Sequence, residues 1–158
     1  MKKQHYILVV DDNLENLRVV SSHLKEKGYQ IALAHNGFSA LKVLEETKID
    51  LILLDIMMPE MDGFEVCDRI KEDPDLKEIP VIFLTAKNNS EDVVRGFRKG
   101  SVDYITKPFN REELLARLSN HLELKDVQDL LAQTAAELKS SRNEYMRHLL
   151  ELAKRSGR

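Results

Sequence analysis

Cysteine, proline and glycine are all scarce in this sequence of 158 residues, and tryptophan is absent. The single cysteine, Cys67, excludes an internal disulfide and is compatible with a reducing compartment. The apolar run near the start, Tyr6–Val10, is too short for a signal-peptide core or a membrane span. We therefore expect a cytoplasmic protein without a membrane partner.

A strong excess of one charge sign is also missing. Lysine and arginine total 24 and aspartate and glutamate total 27, so the net charge is −3. This balance does not favour nucleic acid as a partner. The locally basic stretch 142–158 is interpreted as the solvated face of a helix. The five histidines lack the spacing of metal ligands.

Short apolar runs alternate with amphipathic stretches along the first 122 residues. The runs are 6–10, 30–34, 49–54, 81–84 and 102–105, and leucine, valine and phenylalanine recur at helical spacing between them. Strands that are apolar throughout and separated by helices indicate a parallel sheet covered on both faces. Right-handed crossovers then favour an α/β, doubly wound fold.

Polar side chains follow four of these five strands. Asp11 and Asp12 follow the first strand, Asp55 follows the third, Thr85 follows the fourth and Lys107 follows the fifth. The carboxyl ends of parallel strands share one edge of the sheet, where ligands bind. We therefore expect these five residues to converge.

Three neighbouring carboxylates repel one another, and a hard divalent cation relieves the repulsion. Oxygen ligands without histidine or cysteine suit Mg²⁺. An aspartate can also attack phosphorus to form an acyl phosphate, whose remaining oxygens a hydroxyl and an ammonium can bind. An aspartate after a strand is often only a helix cap or turn residue. The joint pattern of complementary groups favours the functional interpretation.

With these residues in place, the sequence resembles the response-regulator receiver domains of two-component signalling over residues 5 to about 122. The motifs that carry the resemblance are Val9-Val10-Asp11-Asp12-Asn13, Leu53-Leu54-Asp55-Ile56-Met57-Met58-Pro59, Met61-Asp62-Gly63, Leu84-Thr85-Ala86 and Asp103-Tyr104-Ile105-Thr106-Lys107-Pro108-Phe109. The resemblance implies a flavodoxin-like, five-stranded parallel sheet of order 2-1-3-4-5, with a crevice between the first and third strands.

The resemblance also implies roles at the strand ends. Asp55 would be the phosphoacceptor, with a histidine kinase, a phosphotransfer protein or a small phosphodonor as the source of the phosphoryl group. Thr85 and Lys107 would bind that group, and a cis Lys-Pro bond would aim the lysine inward. Beyond its own phosphorylation and dephosphorylation, the protein would not be an enzyme.

The implied Mg²⁺ ligands are Asp12 directly, Asp11 largely through water, Asp55 and the Met57 carbonyl. Tyr104 would turn inward when Thr85 moves, although it can also be a plain strand aromatic. Met57 and Lys87 would tune the dephosphorylation rate, in a direction that the sequence does not predict.

The sequence continues beyond this resemblance without proline or glycine from Asn110 to about Lys154, which predicts one long helix. We divide the chain into a receiver domain, 1–122, and a C-terminal helical extension, 123–158. A heptad repeat runs through the extension, at Leu124, Leu131, Leu138, Tyr145 and Leu152, with the interleaved positions Val127, Thr134, Ser141 and His148. This stripe favours a parallel coiled-coil homodimer. The alternative is a linker to an output module.

Three other functions compete with this interpretation. A phosphatase of the haloacid dehalogenase type needs a second aspartate two residues after the nucleophile, and Met57 stands there. A pseudo-receiver that only binds partners is disfavoured by Asp12, Asp55 and Lys107. A receiver that controls a catalytic output domain stays open.

Overall fold

The computed structural model describes residues 3–86 and 89–157, which form alternating strands and helices. The strands are β1 (Tyr6–Val10), β2 (Gln30–Ala34), β3 (Leu51–Asp55), β4 (Val81–Ala86) and β5 (Asp103–Lys107). The helices are α1 (Leu14–Glu26), α2 (Gly37–Glu46), α3 (Gly63–Glu72), α4 (Ser90–Arg98) and α5 (Arg111–Ser156). Within the described ranges, none of the helices has the length and apolar character needed to cross a membrane.

The five strands form one parallel sheet in the order β2-β1-β3-β4-β5. This order confirms the predicted doubly wound fold. From β1 the chain adds β2 on one side of the sheet and β3, β4 and β5 on the other. The crevice therefore lies at the switch point between the carboxyl ends of β1 and β3.

Each half of the core packs against one face of the sheet because neighbouring strand residues point to opposite sides. Leu8 and Val10 belong to the cluster that buries α2 and α3. Ile7 and Val9 belong to the cluster that buries α1 and the first part of α5. Strands β1 and β3 are buried along nearly their whole length, as a sheet with both faces covered requires.

Asparagine or aspartate side chains begin four of the five helices. Asn13, Asn36, Asp62 and Asn110 each accept a hydrogen bond from the backbone N–H three residues further along. Such caps satisfy amides that the first helical turn leaves unpaired. Two of these caps, Asn13 and Asp62, end the loops that follow β1 and β3 and begin the helices after them.

Helix α5 is continuous over 46 residues, but its surroundings change along its length. The side chains of Leu114, Leu115, Leu118 and Leu122 are buried in the core of the sheet domain. By internal contacts, the chain separates into a unit that ends at Leu122 and a second unit that begins at Glu123. In the second unit every described residue except Lys125 and Asp126 is exposed, including the heptad leucines.

Gly63 allows the loop after β3 to return to the carboxyl end of that strand. Its N–H donates to the Ile56 carbonyl at 2.8 Å. A Cβ built on Gly63 would overlap the Asp55 carbonyl oxygen and lie 2.9 Å from the Ile56 Cα. These atoms belong to the backbone, which cannot move aside as a flexible side chain can.

We predict that Gly63→Ala lowers the free energy of unfolding by about 2 kcal/mol or more, because the backbone around Asp55 must shift. Gly37→Ala is the matched comparison, since the three atoms nearest its new methyl group belong to the side chains of Met61 and Val66. Urea denaturation should show the larger loss for Gly63→Ala. Equal stabilities of the two variants would contradict this account.

Candidate functional site

The carboxyl ends of β1, β3, β4 and β5 surround a cavity of about 300 Å³. Asp11 directly follows β1, whereas Asp55 and Lys107 are the last residues of their strands and Thr85 lies one residue before the end of β4. The apolar runs predict that Asp55, Thr85 and Lys107 lie just after their strands, whereas the strands extend far enough to include all three. The cavity is lined by Asp11, Asp12, Asn13, Asn16, Asp55, Ile56, Met57, Leu84, Thr85, Ala86, Asn89, Asp92 and Lys107.

Lys107 joins two aspartates at the floor of this cavity. Its ammonium donates to Asp55 Oδ1 at 3.0 Å and lies 3.1 Å from Asp11 Oδ2. The Lys107–Pro108 peptide bond is cis. One cation therefore balances two carboxylates whose side chains are 1% and 6% exposed.

Asp11 has further hydrogen bonds from the beginning of α1. Its Oδ1 accepts from the Asn13 backbone N–H at 2.9 Å, and its Oδ2 accepts from the Asn16 side-chain amide at 3.2 Å. Sequence reasoning did not single out Asn16. Its position three residues after the capping Asn13 is the signal that could have found it, because that spacing returns to the same face of the helix.

Asp12 completes a cluster of three acidic groups. One carboxylate oxygen from each of Asp11, Asp12 and Asp55 lies within 4.8 Å of the others. Asp12 is exposed, while Asp11 and Asp55 are buried. A small oxygen-preferring cation fits this donor set, and the open side at Asp12 leaves room for the waters that Mg²⁺ retains. Met57, the predicted carbonyl ligand, lines the same cavity and exposes 72% of its surface.

Burial dominates the protonation behaviour of Asp55. Loss of water raises the pKa of Asp55 from its ordinary value of 3.8 to about 7, and the neighbouring Asp11 carboxylate acts in the same direction, against the hydrogen bond from Lys107. Desolvation lowers the pKa of Lys107, but Asp55 and Asp11 outweigh it and the pKa is raised overall. Lys107 therefore stays charged, whereas the Asp55 carboxylate is held at an energetic cost that a second cation would reduce.

Thr85 lies buried beside this ion cluster, with 2% of its surface exposed. Its hydroxyl donates to the neighbouring Ala86 carbonyl at 3.4 Å, a long and weak hydrogen bond. A strong acceptor that entered the cavity could therefore compete for the hydroxyl. Lys87, which the resemblance linked to dephosphorylation, lies outside the described residues.

Tyr104 stands on β5 and is half-buried between two helices. Its ring meets the Phe97 ring of α4 edge-on, at 6.0 Å between centroids, and the Arg117 guanidinium lies 5.8 Å from its centroid. Arg117 also donates twice to Asp103, at 2.9 and 3.0 Å, and His121 Nε2 lies 3.0 Å from the same carboxylate. Burial acts to raise the pKa of Asp103, but the bonds from His121, the Tyr104 amide and Arg117 prevail and lower it.

A second pair of polar residues, which sequence reasoning missed, lines the cavity from α4. The Asn89 side-chain amide donates to the Asp92 carboxylate across the first turn of this helix. Asp92 also borders a neighbouring groove with Met57, Phe64 and Arg95, whose guanidinium lies 4.1 Å from the centroid of the Phe64 ring. In the sequence, Asn89 and Asp92 only suggest the start of a helix, and nothing in that pattern indicates that they lie at the cavity.

Comparison with known proteins identifies relatives of this arrangement. The sequence profile of the family "Response regulator receiver domain" matches residues 7–119. A "Probable cyclic di-GMP phosphodiesterase" of Vibrio cholerae is 42% identical over 151 residues, 96% of this chain and 32% of that protein. "Response regulator PleD" of Caulobacter vibrioides is 40% identical over 130 residues, 82% of this chain and 29% of that protein. The chain thus spans about a third of the length of these two curated relatives.

Solved structures resemble the sheet domain. A putative response regulator from Chloroflexus aurantiacus superposes with a TM-score of 0.75 and 32% identity, over 77% of this chain and 99% of that one. The chemotaxis response regulator CheY4 of Vibrio cholerae gives a TM-score of 0.71 and 31% identity, over 75% of this chain and 98% of that one. Both similarities include the sequence as well as the fold.

We predict that Asp55→Asn stabilises the protein in chelator-treated buffer, because it removes an unfavourable buried charge. At pH 8 the free energy of unfolding should rise by about 2 kcal/mol. Since the pKa of Asp55 is raised, the wild-type folded state gains a proton that the unfolded state lacks as pH falls from about 7 towards 3.8, so the difference should shrink over that range. Asp12→Asn, at an exposed carboxylate, should give a smaller gain. A pH-independent difference in denaturation between wild type and Asp55→Asn would contradict the argument.

Proposed function

This chain belongs to the response regulator receiver domain family of two-component signalling, and on that premise we propose that Asp55 is its phosphoacceptor. The observation that supports this choice is the convergence of Asp11, Asp12, Asp55 and Lys107 within one cavity. Among the three carboxylates, Asp55 alone is both bonded to Lys107 and the last residue of a strand that neighbours β4. A phosphoryl group on it would lie within reach of groups from both β4 and β5.

The transfer is a nucleophilic displacement at phosphorus. One Asp55 carboxylate oxygen forms a bond to the phosphorus of a phosphohistidine or acyl phosphate, and the bond from phosphorus to the donor breaks with its electron pair going to the donor. Lys107 neutralises the negative charge of the transferred oxygens at the site. Asp55 attacks in its ionised form, and Lys107 stabilises that form before the donor arrives.

Magnesium is the proposed cofactor, held by Asp11, Asp12, Asp55 and the Met57 carbonyl. When bound, Mg²⁺ supplies charge neutralisation for the carboxylates and for the phosphoryl oxygens. Asp11 is restrained by Asn13 and Asn16, so its free acceptor capacity is limited and contact through a water suits it. Asp12 is exposed and suits direct ligation.

Thr85 and Tyr104 form the proposed switch. A dianionic group on Asp55 is a stronger acceptor than the Ala86 carbonyl, and so it draws the Thr85 hydroxyl towards the cavity. The movement vacates space into which Tyr104 turns, away from Phe97 and Arg117. The surface formed by α4, β5 and the adjoining part of α5 then changes shape, so a local charge biases a two-state surface.

Receiver domains take their phosphoryl group from histidine kinases or phosphotransfer proteins, and such a protein is the proposed donor for this chain. The proposed chemistry is confined to the chain's own aspartate. The response is carried by the switch surface and by the C-terminal extension, 123–158, as a separate unit.

The extension dimerises with a second copy of the chain as a coiled coil. Its heptad side chains are exposed, with Leu131, Leu138 and Tyr145 showing 62% to 66% of their surface. Most of the stability of a helix in a protein comes from packing its apolar face, and this face is exposed in the single chain. Pairing with the same stripe of a second copy would cover these residues.

A second candidate is control of a catalytic output domain. The similarity to the probable cyclic di-GMP phosphodiesterase extends over 96% of this chain, so it includes most of the extension as well as the receiver domain. A shared helix after a shared receiver suits transmission of the switch to a following domain. In that case the phosphodiesterase activity would belong to that domain, and the extension would connect the two.

We predict that acetyl phosphate labels the wild-type protein in the presence of Mg²⁺ and that Asp55→Asn abolishes the label. Asp12→Asn should reduce labelling at least tenfold, because it removes a proposed metal ligand. Asp75→Asn, at an exposed aspartate between α3 and β4, is the control and should label like wild type. Intact-mass measurement detects the added phosphoryl group. Mg²⁺-dependent labelling of Asp55→Asn would refute the site, and an unlabelled wild type would identify a pseudo-receiver.

We predict that the full chain is a dimer in sedimentation equilibrium and that Leu138→Glu weakens the dimer strongly, because a charge would enter the apolar stripe. Ala136→Glu is the matched control, since it adds the same charge on the opposite side of the helix and should leave the dimer intact. A monomeric wild type, or equal effects of the two changes, would be inconsistent with dimerisation through this stripe.

A further inference from the structure

The charges of the C-terminal extension form a pattern that a single helix does not satisfy. On an α-helix, residues three and four apart are neighbours and opposite charges at that spacing stabilise each other. Lys125 and Asp129 follow this rule, with 2.6 Å between the ammonium and the carboxylate. Further along the helix, Glu151 has Arg147 four residues before it and Lys154 three residues after it.

Glu137 and Arg142 depart from this rule. The residues three and four away from Glu137 are all uncharged: Gln133, Thr134, Ser140 and Ser141. Those around Arg142 include a second cation and no acid: Leu138, Lys139, Tyr145 and Met146. Glu137 accepts one hydrogen bond from Gln133 at 3.3 Å. In the described part of the chain, the Arg142 side chain has neither an ion pair nor a hydrogen bond.

The separation of five residues has a geometric meaning in a coiled coil. If Leu138 and the leucines in step with it occupy position a of the heptad, Glu137 occupies position g and Arg142 occupies the following position e. In a parallel two-stranded coiled coil, g of one chain faces the following e of the other. We propose that Glu137 of each copy pairs with Arg142 of the other, so that two equivalent ion pairs set a parallel, in-register dimer. This inference rests on the proposed dimerisation and specifies its polarity and register.

The acidic residues at g also disfavour the opposite polarity. Glu123, Glu137, Glu144 and Glu151 are four of the five g positions between 123 and 151. An antiparallel pair would place g rows opposite one another and bring like charges together. The parallel arrangement avoids this repulsion and gives Arg142 an acidic partner.

Apolar contacts alone would leave the register weakly determined. The interleaved positions after Val127 are Thr134, Ser141 and His148, which are small or polar. A seam shifted by one residue would instead place Gln128, Ala135, Arg142 and Leu149 at the interface. That seam would bury the Arg142 charge without a partner, which is costly. Pairing of Arg142 with Glu137 therefore favours the interface through Leu131, Leu138 and Tyr145 over the shifted one. It does so in the part of the helix where the interleaved positions are small or polar.

The test uses charge reversal in the full chain, measured by sedimentation equilibrium at low salt. Glu137→Arg places two cations opposite each other in every pair, and Arg142→Glu places two anions there. Each single change should raise the dimer dissociation constant about tenfold or more, and high salt should reduce the effect. The double variant, Glu137→Arg with Arg142→Glu, restores opposite charges and should return close to wild-type affinity.

Mixing the two single variants gives a sharper readout of polarity. A heterodimer of Glu137→Arg with Arg142→Glu has two attractive pairs, whereas each homodimer has two repulsive ones. The mixture should therefore form heterodimers at concentrations where each variant alone is monomeric. Ala136→Glu, at the outward position f, is again the control, because its new carboxylate is six residues from Arg142 and cannot pair with it along the helix.

The possible results separate the two levels of inference. A monomeric wild type overturns dimerisation itself. A dimeric wild type that tolerates both single reversals, or that is weakened equally by Ala136→Glu, overturns the ion pair while leaving the dimer standing. Weakening by Arg142→Glu alone, without rescue by Glu137→Arg, also overturns it. Acetyl phosphate labelling should be unchanged in all the variants, since these side chains lie outside the receiver unit.

Discussion

Two carboxylates buried around a single ammonium are the constraint on which this molecule depends. Asp11 and Asp55 are almost completely removed from water, and Lys107 is bonded to both. Burial of charge is costly unless it is paired, and here one cation serves two anions. The hydrogen bonds from Asn13 and Asn16 compensate Asp11 further, while Asp55 keeps much of the cost, as its raised pKa indicates. An arrangement of this kind favours the binding of a second cation.

Strands β4 and β5 connect the ion cluster to the surface of the domain. Thr85 on β4 and Lys107 on β5 border the cavity, and Tyr104 lies on the same strand as Lys107, three residues earlier. Its neighbours, Phe97 and Arg117, belong to two different helices. A rearrangement of one aromatic ring would therefore alter contacts on α4 and α5 together. The hydrogen bond from the Thr85 hydroxyl to the Ala86 carbonyl is long, at 3.4 Å, and therefore weak.

In the C-terminal extension, association between copies depends on an apolar stripe and on the charges that flank it. Its heptad leucines are exposed, and its apolar stripe is interrupted by serine and histidine. Apolar area supplies a general tendency to associate, whereas charges at the flanks discriminate between polarities and registers. Glu137 and Arg142 are five residues apart, a spacing that offers no attraction within one helix and a direct one between two.

The sequence by itself determined the fold class and the five residues that meet at the sheet edge. Apolar strands alternating with helices permit few topologies, and the family motifs then indicated the strand order that the structure confirms. The convergence of Asp11, Asp55, Thr85 and Lys107 was predictable because every parallel strand ends at the same edge. The long helix was predictable because proline and glycine are absent from its interior.

Only the tertiary structure decided how these groups share their contacts. The bonding of Lys107 to two aspartates, the amide of Asn16 on Asp11 and the position of Asp92 at the cavity depend on helix docking. The neighbours of Tyr104 likewise come from α4 and α5, thirteen residues or fewer away in sequence but on separate elements. Periodicity describes which face of an element is apolar, and it carries no information on the distances between side chains of elements that meet only after packing.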